Sequence, residues 1–445
     1  MERMIIEGGT PLSGEVEISG SKNGALPLLA ATLMADGPCT LRNVPNLTDI
    51  DSLKEILLNL GVQALSNGNT LHTQVVNEEP TETDHDLVRK LRASVCLLGP
   101  LLAKRGHAEI AFPGGCAFGD RPIDLHLKGL AKLGAIFKVT NGMIRAKAKK
   151  LKGAHIYLGG RWGSTVLGTA NVLSAAVLAE GTTVIEHAAC EPELEDLVMF
   201  LNAMGAKISG GGSHRLVVEG VTTLKGAEHT VLPDRIEAGT FMAAVGLAGG
   251  SIFLRGARGR HLDAVIDIYQ EAGVKFAEDA AGLRVSANHR LKPVELTALP
   301  YPGFPTDLQP QTIAMLAKAS GCSIVTERIY IDRFHSASEL NRMGGRIRIP
   351  TQGTAVIEGV RSLSGAPVVA KDLRAAAALI IAGLAAKGQT ELVGLEHLDR
   401  GYEKPVEKFL ALGANIRRVS DAPVQATPIT QPAIPSQKVI GKLTA

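Results

Sequence analysis

The feature that most constrains this chain is a recurring phrase: an apolar residue, a glycine, a small residue and the start of a strand. It occurs as "LGVQ" at Gly61, "LGAIF" at Gly134, "MGAKI" at Gly205, "AGVKF" at Gly273, "MGGRI" at Gly344 and "LGANI" at Gly413. The six glycines stand about 70 residues apart, and such regularity marks a duplicated unit. A second landmark keeps the same period. The segments "LLAATLMADGPCTLRNV", "VLSAAVLAEGTTVIEHA" and "LIIAGLAAKGQTELVGL" each pass from an Ala/Leu-rich helical pattern through glycine into a strand. A short acidic connection then leads to a second helix. In "EPELEDLVMFLNAMG" the residues Leu194, Leu197, Val198, Leu201 and Met204 form its apolar stripe. Glycine after the last turn suits a left-handed C-cap. Each unit therefore reads helix–strand–helix–strands. One unit cannot cover its own apolar faces, so neighbours must pack together.

Six units in two similar halves predict an α/β protein of two domains with three repeats each. The length of 445 residues fits two cores of about 200 residues. The expected division is 22–232 for one domain and 1–21 plus 233–420 for the other, although spacing alone does not derive the crossing of the first strand-like segment, 4–18. From Asp421 the chain is Pro-rich, lacks the repeat grammar and is expected to be a mobile tail.

Composition excludes several classes. A net charge of +3 and 4% aromatic residues argue against a nucleic-acid-binding face. The N-terminus has no apolar signal segment, and the apolar runs at 93–103 and 375–386 are too short to span a membrane. Five cysteines without C-x-x-C spacing argue against a disulfide framework or zinc site, so a cytoplasmic protein is expected. Cys39, Cys96, Cys190 and Cys322 lie in or beside apolar segments and are expected to pack.

Cys116 differs. In "AFPGGCAFGDRP" it is surrounded by glycines and followed by Arg121 and Pro122. An accessible thiol beside a cation is suited to thiolate chemistry, and a thiol of ordinary pKa is also a proton donor at neutral pH; the alternative is an idle loop cysteine. Lys22 and Asn23 precede an apolar helix in "ISGSKNGALPLLAA", where a helix N-terminus and a point charge suit an anion; a solvated lysine is the plain alternative. Asp307 in "FPTDLQPQ" is either an ordinary N-cap or a general base. Arg92, Arg333, Arg374 and Arg400 fall near predicted helix starts, where guanidinium forks would hold phosphate or carboxylate. Trp162 suits packing or a lid. His126, His335 and His397 are site candidates for which a structural role is the simpler expectation. Metal ligands are not clustered, and no dinucleotide fingerprint is present.

In order along the chain stand "SGSKNGALP", "LRASVCLLGPL", "PGGCAFGDRPIDLHLKGL", "LPDRIEAGTF", "FPTDLQPQ", "DRFHSASELNRMGG", "DLRAAAALIIAGLA" and "DRGYEK". Together they resemble the UDP-N-acetylglucosamine 1-carboxyvinyltransferase family of enolpyruvyl transferases, over residues 1–418. The resemblance implies a pair of inverse α/β barrels, each of three repeats. It implies transfer of enolpyruvyl from phosphoenolpyruvate to the sugar 3′-hydroxyl with release of phosphate, in peptidoglycan precursor synthesis. No metal or organic cofactor is expected, and the two small-molecule substrates are the only expected partners. It further implies that Lys22 and Asn23 bind phosphoenolpyruvate and that Cys116 protonates its enol carbon and forms a covalent adduct. Arg121, Arg333, Arg374 and Arg400 would surround the reacting phosphate and carboxylate. Arg92 and the run Arg121, Pro122, Ile123, Asp124, Leu125 would lie on the nucleotide-sugar side, with Ile329. Asp307 would face the 3′-hydroxyl.

The chain departs from the family in two places. Thr165, Val166 and Leu167 stand where a Ser-Val-Gly turn is common, which bears on the diphosphate contacts, and Cys190 stands where arginine is common. Two other functions compete: an enolpyruvyl transferase for another acceptor, such as shikimate 3-phosphate or a nucleotide, and a non-catalytic relative that binds sugar nucleotide.

Overall fold

The computed structural model describes residues 2–112 and 122–420, so Cys116, Arg121 and the tail from 421 lie outside it. All six phrase glycines have positive φ, from 78° at Gly61 to 106° at Gly205 and Gly273. Each ends its helix in the left-handed region, which glycine enters without a Cβ clash.

The first unit sets the pattern. Helix Lys22–Ala31 leads to strand Cys39–Arg42, helix Thr48–Asn59 and the hairpin Val62–Asn67 with Thr70–Val75. The hairpin pairs antiparallel with the unit's first strand, Cys39 opposite Thr73. A further strand joins in parallel from the tail of the preceding unit. His155–Tyr157 pairs in this way with Thr182–Glu186, Glu295–Ala298 with Cys322–Glu327, and Pro367–Val369 with Gln389–Val393. The tail of the third unit, Glu228–Thr230, returns to Cys39–Arg42 and closes the first ring.

The second ring closes through the N-terminus. Among the described residues no hairpin strand follows Asn415–Ser420 in the sixth unit. Glu2–Glu7 supplies it, antiparallel to both Asn415–Ser420 and Gln389–Val393. Leu12–Glu17 then acts as the tail, parallel to Gly250–Arg255 of the fourth unit. The sixth repeat is thus divided between the two ends of the chain.

Sheets lie outside, and one largely buried helix or helical stretch of each repeat lies inside. Lys22–Ala31, the helical stretch 92–105 and Val166–Ala176 meet in one lobe; Arg235–Ala248, Gln309–Leu316 and Leu373–Ala385 meet in the other. The two hydrophobic cores are separate. One gathers residues between Ala25 and Val231, the other Met4 to Ile18 with Ile236 to Ile416. The architecture is therefore two α/β lobes with these inner helices enclosed by sheets. Small residues let the enclosed helices approach: a Cβ on Gly99 would lie 2.1 Å from the Asn171 carbonyl oxygen. Each buried leucine in these cores contributes about 1.5–3 kcal/mol.

Two segments cross between the lobes side by side. Ser21 N–H donates to the Leu232 carbonyl (2.7 Å), and Asp234 N–H donates to the Ser19 carbonyl (2.8 Å). The crossing places Lys22 at the start of the first enclosed helix.

Cys39, Cys96 and Cys190 are buried, but Cys322 is exposed. It is the first residue of its strand, ahead of the inward-facing Ser323 and Val325, so the expected packing role does not hold there. Among the described residues no helix is long and apolar enough to cross a membrane.

His126 is a core residue. Asn171 donates through Nδ2 to the Val95 carbonyl (2.7 Å) and to His126 Nδ1 (3.0 Å), while its Oδ1 accepts from Gly99 N–H (2.6 Å). Burial, with Arg92 nearby, lowers the His126 pKa to about 3. The unfolded chain takes up this proton near pH 6.5, but the folded chain does not until far lower pH. Stability present above pH 6.5 therefore declines as pH falls, by about 1.4 kcal/mol per pH unit from this group. Replacing His126 by Gln should make urea-unfolding midpoints less steep in pH between 6.5 and 5. An unchanged slope would remove His126 from the acid sensitivity.

Candidate active site

The site lies where the first enclosed helix of one lobe meets the second lobe. Ser21 caps that helix, its hydroxyl accepting from Gly24 N–H at 3.1 Å. Lys22 N–H donates to Asp234 Oδ2 of the other lobe at 3.1 Å. The helix end is thus partly occupied by a protein carboxylate, and the charge offered to an anion comes from side chains. Asp234 also caps its own helix, accepting from Ile236 N–H (2.7 Å) and Glu237 N–H (3.1 Å).

Asp49 joins two of the expected cations. Its carboxylate lies 2.7 Å from Lys22 Nζ and 2.9 Å from Arg400 Nε. Lys22 and Asp49 belong to the first lobe and Arg400 to the second, so the group ties the lobes together. Burial pushes the Lys22 ammonium down, Asp49 opposes this, and Arg374 and Arg400 push it further down. Burial alone would raise the Asp49 carboxyl, but Lys22 and Arg400 outweigh it.

Asp307 joins the others. It lies in the short turn Thr306–Leu308 before helix Gln309–Leu316, which has no side-chain cap. Its carboxylate is therefore not an N-cap. Oδ1 accepts from Arg333 Nη1 and Oδ2 from Arg374 Nη2, each at 2.7 Å, and Asn23 Nδ2 reaches Oδ2 across the lobes at 3.5 Å. Burial would raise this carboxyl, yet Arg374 and Arg333 hold it well below the usual range. Arg374 is itself presented by Asp372, which caps helix Leu373–Ala385 through Arg374 N–H and Ala375 N–H.

Lys22, Asn23, Asp307, Arg333, Arg374 and Arg400 thus come together, with Asp49. Four cations face two carboxylates, a balance suited to anionic ligands. Ile329 belongs to the same neighbourhood: its N–H donates to Glu327 Oε1 (2.7 Å), and Glu327 Oε2 accepts from Thr306 Oγ1 (2.7 Å) beside Asp307.

The expected nucleotide side lies mostly on the first lobe. Pro122 and Asp124 are exposed, Ile123 is buried and Leu125 is half-buried at the start of helix Asp124–Lys132. Leu125 abuts Gly160, where a Cβ would lie 2.8 Å from Leu125 Cδ1. Thr165 caps helix Val166–Ala176, accepting from Gly168 N–H at 3.3 Å. In the divergent turn glycine follows at 168, where a Cβ would strike the Thr165 side chain at 2.5 Å. A Cβ on Gly163 would lie 2.8 Å from Pro300, which brings this segment to the second lobe. Arg92 begins the helical turn Arg92–Leu97 and acts electrostatically on His126.

Other candidates separate from this group. Trp162 is exposed under the Arg161 guanidinium, 4.7 Å from its ring centroid. His335 contacts Asp372 (3.4 Å), at the edge of the group, and His397 lies 4.0 Å from the exposed Glu396. Cys190 is buried 3.2 Å from His214 Nδ1, and burial, then Glu191, pushes its thiol up to about 11. Burial likewise pushes Cys96 up to about 12. Cys116 and Arg121 lie outside the described residues. Among the described residues no three His, Cys, Asp or Glu side chains are placed to hold a metal.

Sequence reasoning missed Asp49 and Asp234. Both are acids at a helix start, a signal that alone means only capping. The buried pair of Arg235 with Glu193, at 3.0 Å, also links the lobes and went unnoticed.

Residues 6–409 match the family described as EPSP synthase (3-phosphoshikimate 1-carboxyvinyltransferase). A UDP-N-acetylglucosamine 1-carboxyvinyltransferase of Methylacidiphilum infernorum is 50% identical over 94% of this chain and 99% of its own length. One of Myxococcus xanthus is 48% identical over 94% and 99%. Among solved structures, the enolpyruvyl transferase NikO from Streptomyces tendae superposes with a TM-score of 0.86 at 27% identity, covering 95% of this chain and 99% of that one. An EPSP synthase from Acinetobacter baumannii shares the fold, with a TM-score of 0.75 at 20% identity over 94% and 100%. On this similarity along nearly its whole described length, the chain belongs to the enolpyruvyl (1-carboxyvinyl) transferase family.

Proposed function

We propose that this protein transfers the enolpyruvyl group of phosphoenolpyruvate to the 3′-hydroxyl of UDP-N-acetylglucosamine, releasing phosphate, as a cytoplasmic step in peptidoglycan precursor synthesis. The observation that carries this is the end-to-end similarity, near half identity, to relatives bearing that activity in their names. The clustered cations support it, since both substrates carry phosphates. We take the lobes as domains 22–232 and 1–21 plus 233–420.

In this mechanism Lys22, Arg333, Arg374 and Arg400 hold the phosphate and carboxylate of phosphoenolpyruvate, with Asn23. Arg92, Pro122, Ile123, Asp124, Leu125, Thr165, Val166 and Ile329 hold the sugar nucleotide. Asp307 takes the proton of the 3′-hydroxyl as its oxygen bonds to C2 of phosphoenolpyruvate. The Cys116 thiol delivers a proton to C3. The thiolate so formed takes a proton back from C3 as the C2–O bond to phosphate breaks, which restores the double bond, and the proton held by Asp307 passes to the departing phosphate. Cations near the departing phosphate offset its developing charge. Arg121, outside the described residues, would join them.

Four outcomes are expected. Phosphate release from phosphoenolpyruvate should require UDP-N-acetylglucosamine; turnover with shikimate 3-phosphate instead, or with neither, would overturn the proposal. Asp307→Asn should lower kcat by about 10²–10⁴-fold with a smaller change in sugar-nucleotide binding, and near-normal turnover would remove Asp307 from proton transfer. Cys116→Ala should abolish most turnover while UDP-N-acetylglucosamine still binds by calorimetry. In the unaltered protein fosfomycin should alkylate Cys116, as read by peptide mass spectrometry, and an adduct confined to Cys190 would contradict this assignment.

A further inference from the structure

Beneath the cations lies a buried polar knot to which none of these steps assigns a role. The Tyr402 hydroxyl is 2.8 Å from Thr240 Oγ1, 3.1 Å from Gln311 Nε2 and 3.2 Å from Arg374 Nη1. Its protons can be assigned. Thr240 Oγ1 donates to the Ile236 carbonyl at 2.8 Å, so its proton is committed. The Tyr402 O–H must therefore donate to Thr240 Oγ1. That leaves the two lone pairs of Tyr402 for Arg374 and Gln311, each of which can only donate there. The hydroxyl is fixed in orientation, with one lone pair facing the guanidinium. The Tyr402 ring also lies against Arg374, 5.5 Å from Cζ to centroid.

This matters because Arg374 has two side-chain anchors among the described residues, Asp307 through Nη2 and Tyr402 through Nη1. If Asp307 is the base, it must turn an oxygen towards the substrate hydroxyl and loosen its hold on Arg374. Arg374 is 3% exposed, so water does not replace the lost partner freely. We propose that Tyr402 is a positioning residue, whose hydroxyl, locked by Thr240 and Gln311, keeps Arg374 aimed at the reacting anion while Asp307 serves the substrate hydroxyl. The role rests on the function proposed above.

Tyr402→Phe removes the hydroxyl and keeps the ring. Its KM for phosphoenolpyruvate should rise about tenfold or more, the scale of a lost hydrogen bond to a buried charge. The KM for UDP-N-acetylglucosamine should stay within about twofold, a split that general loosening of the core would not give. In an Arg374→Lys background the same substitution should cost less than about twofold further, because both changes act through one contact. An unchanged phosphoenolpyruvate KM, an equal rise for both substrates, or full multiplication with Arg374→Lys would overturn the role. If the Phe variant does not fold, Thr240→Val takes its place. It removes the acceptor that orients the hydroxyl and should raise the phosphoenolpyruvate KM several-fold, and no change there would equally overturn it. Absence of wild-type turnover would overturn both proposals, whereas normal wild-type turnover with an unaltered Tyr402→Phe would overturn this one alone.

Discussion

The Asp307 carboxylate lies between two guanidinium groups at 2.7 Å each, and the second lobe keeps both guanidinium groups buried while the carboxylate stays part-exposed. Arg333 and Arg374 are each 3% exposed. An unpaired charge at that depth costs several kcal/mol, so the arginines and the aspartate hold one another in place. Their sum is one positive charge. Lys22 and Arg400 with Asp49 repeat the arithmetic across the lobe boundary and leave another. The site is thus cationic but internally braced, which lets four basic side chains stay close without a ligand. An arriving anion competes for the same donors. At about 4 Å and an effective dielectric near 20, one such contact is worth about 4 kcal/mol, enough to rearrange partners.

That competition has a chemical consequence. With both oxygens claimed by arginine, Asp307 is held well below the usual carboxylate range and is a weak base. A phosphate or carboxylate that takes a share of the guanidinium hydrogen bonds reduces the hold and raises the basicity of Asp307. In the proposed mechanism the base would strengthen as the electrophile's anionic groups settle, and proton removal from the acceptor hydroxyl would be favoured with both substrates in place.

The periodic parts of this structure were legible in the sequence because they rest on local rules. Six glycines at one spacing became six left-handed helix ends, since no other residue adopts that conformation so readily. The enclosed helices followed from Ala/Leu runs. Lys22, Asp307, Arg333, Arg374 and Arg400 were legible as candidates from helix-start positions, but their partners were not. Asp49 and Arg400 are separated by 351 residues, and Asp307 and Arg374 by 67. No local pattern encodes such pairs. Tyr402 escaped for a related reason: within "DRGYEK" an aromatic beside charges looks like surface, and only the return of the chain through the second lobe buries it against Thr240 and Gln311. Cys322 failed in the opposite sense, since an apolar strand has a first residue that need not face inward.

The segment 399–403 shows why the duplicated architecture suits a two-substrate site. The Asp399 carbonyl accepts from Thr48 N–H at 3.2 Å, Arg400 binds Asp49, and Glu403 accepts from Asn46 N–H at 3.1 Å. Each of these contacts reaches the first lobe. Glu403 also accepts from Ser19 Oγ at 2.6 Å, on one of the two crossing segments, and Lys408 ties Ser19 to the buried Glu237. Tyr402, between these outward contacts, turns the other way to Arg374. A single short turn therefore touches the opposing lobe, the crossing and the cation that grips Asp307. A relative displacement of the lobes would have to break or carry these contacts. The turn belongs to the repeat that Glu2–Glu7 completes, so the repeat divided between the two ends of the chain carries the residues that join the crossing to the cations around Asp307.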